Sequence, residues 1–263
     1  MSNPRDELKL LFATLIFVVI GLAAQNIALS ALWGAKGQTF TLFDLISPIP
    51  VAFLGLFNGL AAIVIAKLLG AVLLGQSLEL LTLLRLLPAV AGGLFFWAYT
   101  QKRGMPAVLQ FGIPIAAIVL FCIHPSIWGT AGMLFSLYWV VPLVLAALNG
   151  PIGAWMKQKG LMQNGLISIL RRWGAWFGRS LGATLTQHAV GGVLWLYTIP
   201  AAQNPAFWLA LIPIVAAERL VFATGIATGS LGLEAVLARM TLLHRSLNRT
   251  TGAQPQHLPR KKR

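Results

Sequence analysis

The chain has 263 residues, of which 57% are hydrophobic and only 10% charged, and its mean hydropathy is +0.79. So much apolar surface excludes a soluble globular domain and requires lipid as the solvent. The formal charge of +14 sits mostly in loops and in the C-terminal tail, where it orients the chain and touches anionic membrane lipid, so no nucleic-acid partner is expected. A single cysteine, Cys122, leaves no intrachain disulfide and no cysteine-built zinc or iron–sulfur site.

Residues 1–8 form a short polar head. Leu8 to Trp33 then supply about 25 mostly apolar residues, enough to span a bilayer with tilt. A signal peptide is the other reading of this segment, but its length and the mixed charges of Arg5, Asp6, Glu7 and Lys9 favour a retained helix. Ala24 and Ala28, and then Ala31 and Ala35, recur at a spacing of four, and small residues so placed let a partner helix approach closely. A polar loop follows at 34–43.

The stretch 44–57 carries Pro48 and Pro50, each of which removes a backbone donor and clashes with the preceding turn, so a short or broken span is expected. Asn58-Gly59 supplies a tight turn, and 60–74 a further span. The next span runs from Glu79 to Thr100 and ends in a basic loop at 101–106. Ala107 to Ile123 spans again, His124-Pro125-Ser126 breaks the helix, and Ile127 to Leu148 returns until Asn149-Gly150-Pro151. Within the long non-spanning stretch 151–179, Leu166, Ile167, Leu170, Trp173 and Phe177 recur at helical spacing. They predict an amphipathic helix near 164–177 at the membrane surface. Spans at 181–199 and 207–237 follow. The expected organisation is a single integral membrane domain over 1–238 and a basic, disordered cytoplasmic tail over 239–263.

The expected fold is therefore an all-α, polytopic transmembrane helical bundle of about six to eight membrane segments with both termini cytoplasmic. With eight, the inside loops and tail hold sixteen of the twenty basic residues and the outside loops hold only Lys36, as the positive-inside rule requires. Merging 44–74 into one span would move Lys102 and Arg103 outside, so two segments are expected there. The orientation implies a multi-pass protein of the cell membrane.

Charges at membrane depth cost on the order of 2.5–3.5 kcal/mol each, so they come with partners or roles. In this orientation Asp44, Glu79, Arg85, His124, Trp128, Trp195 and Tyr197 gather near the outer face. Such a group of rings and polar tips suits capture of a small, partly aromatic solute. An interfacial aromatic belt would place the rings at the same depth with no ligand. Lys67, Glu218 and Arg219 lie deeper, as a buried charge pair or as gating groups, with Lys67 a candidate partner for Glu218. His188, mid-span among glycines, reads as a hydrogen-bonded helix contact. No nucleophile–base pair, metal-ligand spacing or phosphate-cradling glycine loop is present, so neither an enzyme nor a bound cofactor is expected.

Between Asp44 and Arg103 the chain resembles the substrate-binding S component of energy-coupling factor (ECF) vitamin transporters. The residues that carry the likeness are Ser47-Pro48-Ile49-Pro50-Val51-Ala52, the Gly55-Leu56-Phe57-Asn58-Gly59 turn, the mid-span Lys67, the acidic helix start at Glu79, and Leu87-Pro88-Ala89-Val90-Ala91-Gly92-Gly93 before a basic loop. The resemblance implies a six-span bundle that captures a vitamin-like solute at its outer face. It further implies a separate transmembrane coupling subunit driven by two ATPases, which the alanines spaced by four on the first helix would contact. Two other readings stay open: a standalone secondary carrier using Lys67, Glu218 and Arg219, and a membrane assembly protein recruiting partners through its basic loops.

Overall fold

The computed structural model describes residues 4–31, 39–99, 105–158 and 165–250, and these form an all-α helical bundle. Helix α1 (Pro4–Ala24) leads into a small antiparallel hairpin of β1 (Ala28–Ala31) and β2 (Thr39–Thr41). The chain continues through α2 (Leu42–Ile46), α3 (Ile49–Leu73), α4 (Leu80–Leu84), α5 (Leu87–Ala98) and α6 (Met105–Cys122). A 3-10 segment (Ala131–Trp139) leads into α7 (Val140–Gln158), and α8 (Gly165–Thr198) and α9 (Pro205–Thr250) complete the bundle. Among the described residues, five helical stretches are by length and composition apolar enough to cross a membrane: Asp6–Ala24, Ile49–Leu73, Leu80–Ala98, Ala131–Asn149 and Pro205–Met240; Pro106–Cys122 is a shorter apolar helix.

Helix α3 is two limbs rather than one rod. Gly55 has φ +77° and ψ 178°, a conformation only glycine adopts without strain. A Cβ on Gly59 would lie 2.4 Å from the Cα of Val51. In a straight helix eight residues separate those positions by ~12 Å, so the chain doubles back between them. The proline-broken segment and the following span are therefore distinct, as the sequence predicts, but the reversal sits at Gly55 and not at Asn58-Gly59.

Four other expectations are corrected. The first helix ends at Ala24, so Ala28 and Ala31 lie in a strand and do not extend a helical stripe of small residues; Ala35 lies outside the described residues. Ala24 alone is on a helix, and it is buried. Pairing of β1 with β2 takes the backbone of Ala28 and Ala31 out of the helix, and at the helix end Gln25 Nε2 donates to the carbonyls of Gly21 (3.4 Å) and Ala66 (2.8 Å), tying it to α3. Helix α7 runs through Asn149-Gly150-Pro151 to Gln158, and Asn149 Nδ2 donates to the Tyr99 carbonyl.

The amphipathic stretch near 164–177 and the next span are one continuous helix, α8, because no breaker separates them and their ring-bearing face has partners in the bundle. Trp176 stacks on Phe53 with centroids 6.1 Å apart, and the Arg179 guanidinium lies 3.8 Å from the Phe96 ring. Arg172 pairs with Glu234 of α9 at 2.7 Å. Finally, α9 stays helical to Thr250, well past the expected tail boundary at 239.

The core is densest where α6, the 3-10 segment, α8 and α9 meet. Phe121 packs edge-on against Trp139 and Trp208, each with centroids 4.9 Å away, and Phe135 closes the group. All four rings are buried.

A cavity at one end of the bundle

One end of the bundle gathers the close of α1, the hairpin, α2, the end of α3, the start of α4, the end of α8 and the start of α9. These elements enclose a cavity of about 520 Å³, inside the ~300–1,000 Å³ range of small-molecule sites. Its walls are largely apolar and include Trp195 and Trp208. Five charged side chains line it among the described residues: Asp44, Lys67, Arg85, Glu218 and Arg219.

Asp44 is held by the turn into α2. Its Oδ2 accepts from the Thr41 backbone N–H (2.8 Å) and from the Thr41 hydroxyl (2.9 Å). Its Oδ1 lies 3.5 Å from Lys67 Nζ, both side chains being mostly buried. Lys67 also sits 5.0 Å from the centre of the Phe43 ring. Gln187 of α8 donates to the Asp44 backbone carbonyl (3.2 Å), so three elements converge on this one residue.

The second pair is Glu218 with Arg219. Arg219 is 2% exposed, and its Nη2 donates to Glu218 Oε2 at 2.9 Å while Nη1 donates to Thr184 Oγ1 at 3.3 Å. The guanidinium lies 4.8 Å from the Phe40 ring and 4.4 Å from the Phe222 ring, positions that favour a cation over a π face. Glu218 also accepts from Ser30 Oγ at 2.6 Å, which fastens the hairpin to α9. Glu218 thus pairs with its sequence neighbour, and Lys67 with Asp44, instead of Lys67 with Glu218. Among the described residues, Gln187 Oε1 and Arg219 Nε are buried with no hydrogen-bond partner, so the fold alone does not complete this polar cluster.

His188 lines the cavity and packs on the aromatic core at once. Trp139 Nε1–H, which can only donate, reaches His188 Nδ1 at 3.3 Å. Nδ1 is therefore the acceptor, and the neutral ring carries its proton on Nε2.

The expected site residues thus divide. Asp44, Arg85 and Trp195 line the cavity, joined by Lys67, Glu218 and Arg219. Glu79 is outside its wall, exposed at the start of α4 and accepting from Ser77 Oγ at 2.8 Å. His124, Trp128 and Tyr197 also stand apart. The His124 and Tyr197 rings pack edge-to-face at 4.7 Å, Tyr197 donates to the Leu120 carbonyl, and Trp128 is 66% exposed. None of the three lines the cavity. Trp208, which begins the last span and is expected with the outer-face rings, also lines the cavity. Gln25 and Gln187 are cavity residues that the sequence pattern does not single out for binding; their one available signal is an amide in an apolar run.

The arrangement suits binding: aromatic and aliphatic surface for a solute body, and fixed polar groups for its orientation. Among the described residues no group of three His, Cys, Asp or Glu side chains is placed to hold a metal ion. In comparisons with known proteins, no family model, no curated protein and no solved structure matches the chain.

Proposed function

We propose that this protein is a solute-capture subunit of the cell membrane, of the S-component type, that takes up a vitamin-like small molecule and hands it to a separate coupling subunit powered by two ATPases. The observation that carries the reading is the cavity. It is concave, mostly apolar, walled by two tryptophans and furnished with two oriented ion pairs. Its position supports the reading too. At the opposite end α5 closes and α6 begins, α7 closes and α8 begins, and α9 runs out toward Thr250; the sequence joining these helices carries Lys102, Arg103 and Lys159. The positive-inside rule assigns that end to the cytoplasm and the cavity to the outside, where a capture protein needs it. The resemblance of residues 44–103 to S components agrees with both points.

The test is purification from the native membrane in mild detergent, with mass spectrometry of co-purifying proteins and small molecules. A transmembrane partner with ATPases, together with a bound solute lost on Trp208→Ala, is the expected result. A protein that comes down alone and empty, and that takes up nothing when reconstituted with candidate coupling subunits, would sink the proposal.

A second reading has one observation in its favour. Asp44–Lys67 and Glu218–Arg219 both border the cavity, as ion-coupling groups of a standalone carrier do. Uptake by vesicles containing this chain alone, driven by an ion gradient and collapsed by an ionophore, would choose that reading over the first.

A further inference from the structure

The charges around the cavity do not balance. Three cations, Lys67, Arg85 and Arg219, face two carboxylates, Asp44 and Glu218. Each carboxylate is committed: Asp44 to Lys67 at 3.5 Å and Glu218 to Arg219 at 2.9 Å. Arg85 is left over. The chain has six acidic residues in all, and every one is among the described residues. Of the rest, Asp6 pairs with Lys9, Glu234 pairs with Arg172, and Glu79 is bonded to Ser77. Glu7 is in the first turn of α1, whose opposite end approaches the cavity. None of the six forms an ion pair with Arg85. The hairpin connection 32–38 contains Lys36 and no acid, so it supplies no counter-charge either.

A second donor faces the same space. His188 Nδ1 is occupied by Trp139, which leaves Nε2–H as the free edge of the ring. That nitrogen has no partner among the described residues, and it is not one of the buried unsatisfied atoms. It is therefore open to the cavity that His188 lines.

We infer that the solute is an organic acid: an apolar or aromatic body with one anionic group, a carboxylate or a phosphate, whose charge is matched by Arg85 and for which His188 offers a further hydrogen-bond donor. This rests on the capture reading above. A guanidinium is suited to such a group because its donors match a planar or tetrahedral oxyanion in two places at once. A neutral or cationic solute would leave the Arg85 guanidinium, exposed at the cavity wall, with water alone as its partner. An anionic lipid headgroup offers the same chemistry from another source, and the test separates the two.

The full chain is purified from its native membrane, and bound small molecules are released by denaturation and identified by mass and by charge at pH 7. The same preparation, emptied, is titrated with matched acid and amide pairs (nicotinate and nicotinamide, biotin and biotinamide, lipoate and lipoamide) and read by thermal shift. Arg85→Ala and Arg85→Lys are compared with the parent; Arg85 is exposed, so the unfolding temperature of each empty variant should stay close to that of the parent.

The expected result is a released organic acid and a preference for acids over amides. Occupancy should fall roughly tenfold or more in Arg85→Ala and less in Arg85→Lys. A neutral or cationic released solute, a phospholipid as the sole released anion, or unchanged occupancy in Arg85→Ala overturns this inference. A neutral or cationic solute would still leave the capture reading standing. If the parent protein releases no solute and responds to no probe, the capture reading fails and takes this inference with it.

Discussion

At the residue scale, the two ion pairs differ in depth, and that difference is measurable. Arg219 is almost fully enclosed, so removing its carboxylate partner strands a buried charge beside the Phe40 and Phe222 rings. Glu218→Gln should cost about 3–5 kcal/mol. The Asp44–Lys67 contact is longer, 3.5 Å, with side chains 18% and 26% exposed, and an amide at 44 can still accept from Thr41. Asp44→Asn should cost about 1 kcal/mol or less. Unfolding of both variants in the same detergent decides the matter, and equal losses would contradict this ranking. That these residues need partners inside the bundle was legible in the sequence, because charges in apolar runs are conspicuous. Their pairing was not, since it depends on rotamers and on rings that come from distant segments. Phe40 and Phe222, which meet edge-to-face and both contact the Arg219 guanidinium, lie far apart in the chain, and nothing local to either one announces the other.

At the element scale, the reversal inside α3 turns on backbone contact between its two limbs. Gly59→Ala drives a methyl group into the backbone of Val51 and should destabilise by about 1–3 kcal/mol. Gly174 is the control: it is exposed on α8, and a Cβ there would meet no heavy atom within 4 Å, so Gly174→Ala should stabilise by about 0.5–1 kcal/mol. If both substitutions behave alike in thermal unfolding, the close approach is not what shapes the hairpin. Pro48 and Pro50 made the break legible, but two glycines competed for the turn, and only the tertiary contact at Val51 chooses between them. Helix α8 shows the converse difficulty. Thr184, Thr186, Gln187 and His188 lower its hydropathy, and Thr184, Thr186 and Gln187 are buried inside the bundle. The helix most central to the packing is thus among the least apolar, and its continuity with the preceding amphipathic stretch is hidden by that change of composition.

At the scale of the whole molecule, α8 and α9 are far longer than a bilayer needs: 34 residues of α8 reach ~51 Å against ~30 Å of hydrocarbon. Both extend away from the cavity end, and Arg172–Glu234 braces them there. The prediction is a sidedness. In a Cys122→Ser background, single cysteines at Ser126 and Gln203 should react with an impermeant maleimide added outside intact cells, and cysteines at Lys102 and Lys159 only after permeabilisation. The reverse pattern would turn the cavity toward the cytoplasm and remove the basis for capture. The expected orientation rests on charge asymmetry along the chain alone, whereas the cavity itself required seven segments to be assembled in space.

The hairpin of 28–41 sets a limit on how a solute arrives. A two-stranded sheet has two outer edges of unpaired amides and carbonyls, and hydrocarbon does not accept such edges. We predict that the lipid boundary passes below the hairpin and that the cavity lined by Ala31 and Thr39–Thr41 opens to water, not sideways into the acyl chains. Hydrogen exchange in nanodiscs should find the outward-facing amides of Ala28–Ala31 and Thr39–Thr41 exchanging quickly while α3 and α8 stay protected. Slow exchange along both edges would mean that another protein or lipid surface covers them, and the doorway would have to be sought elsewhere.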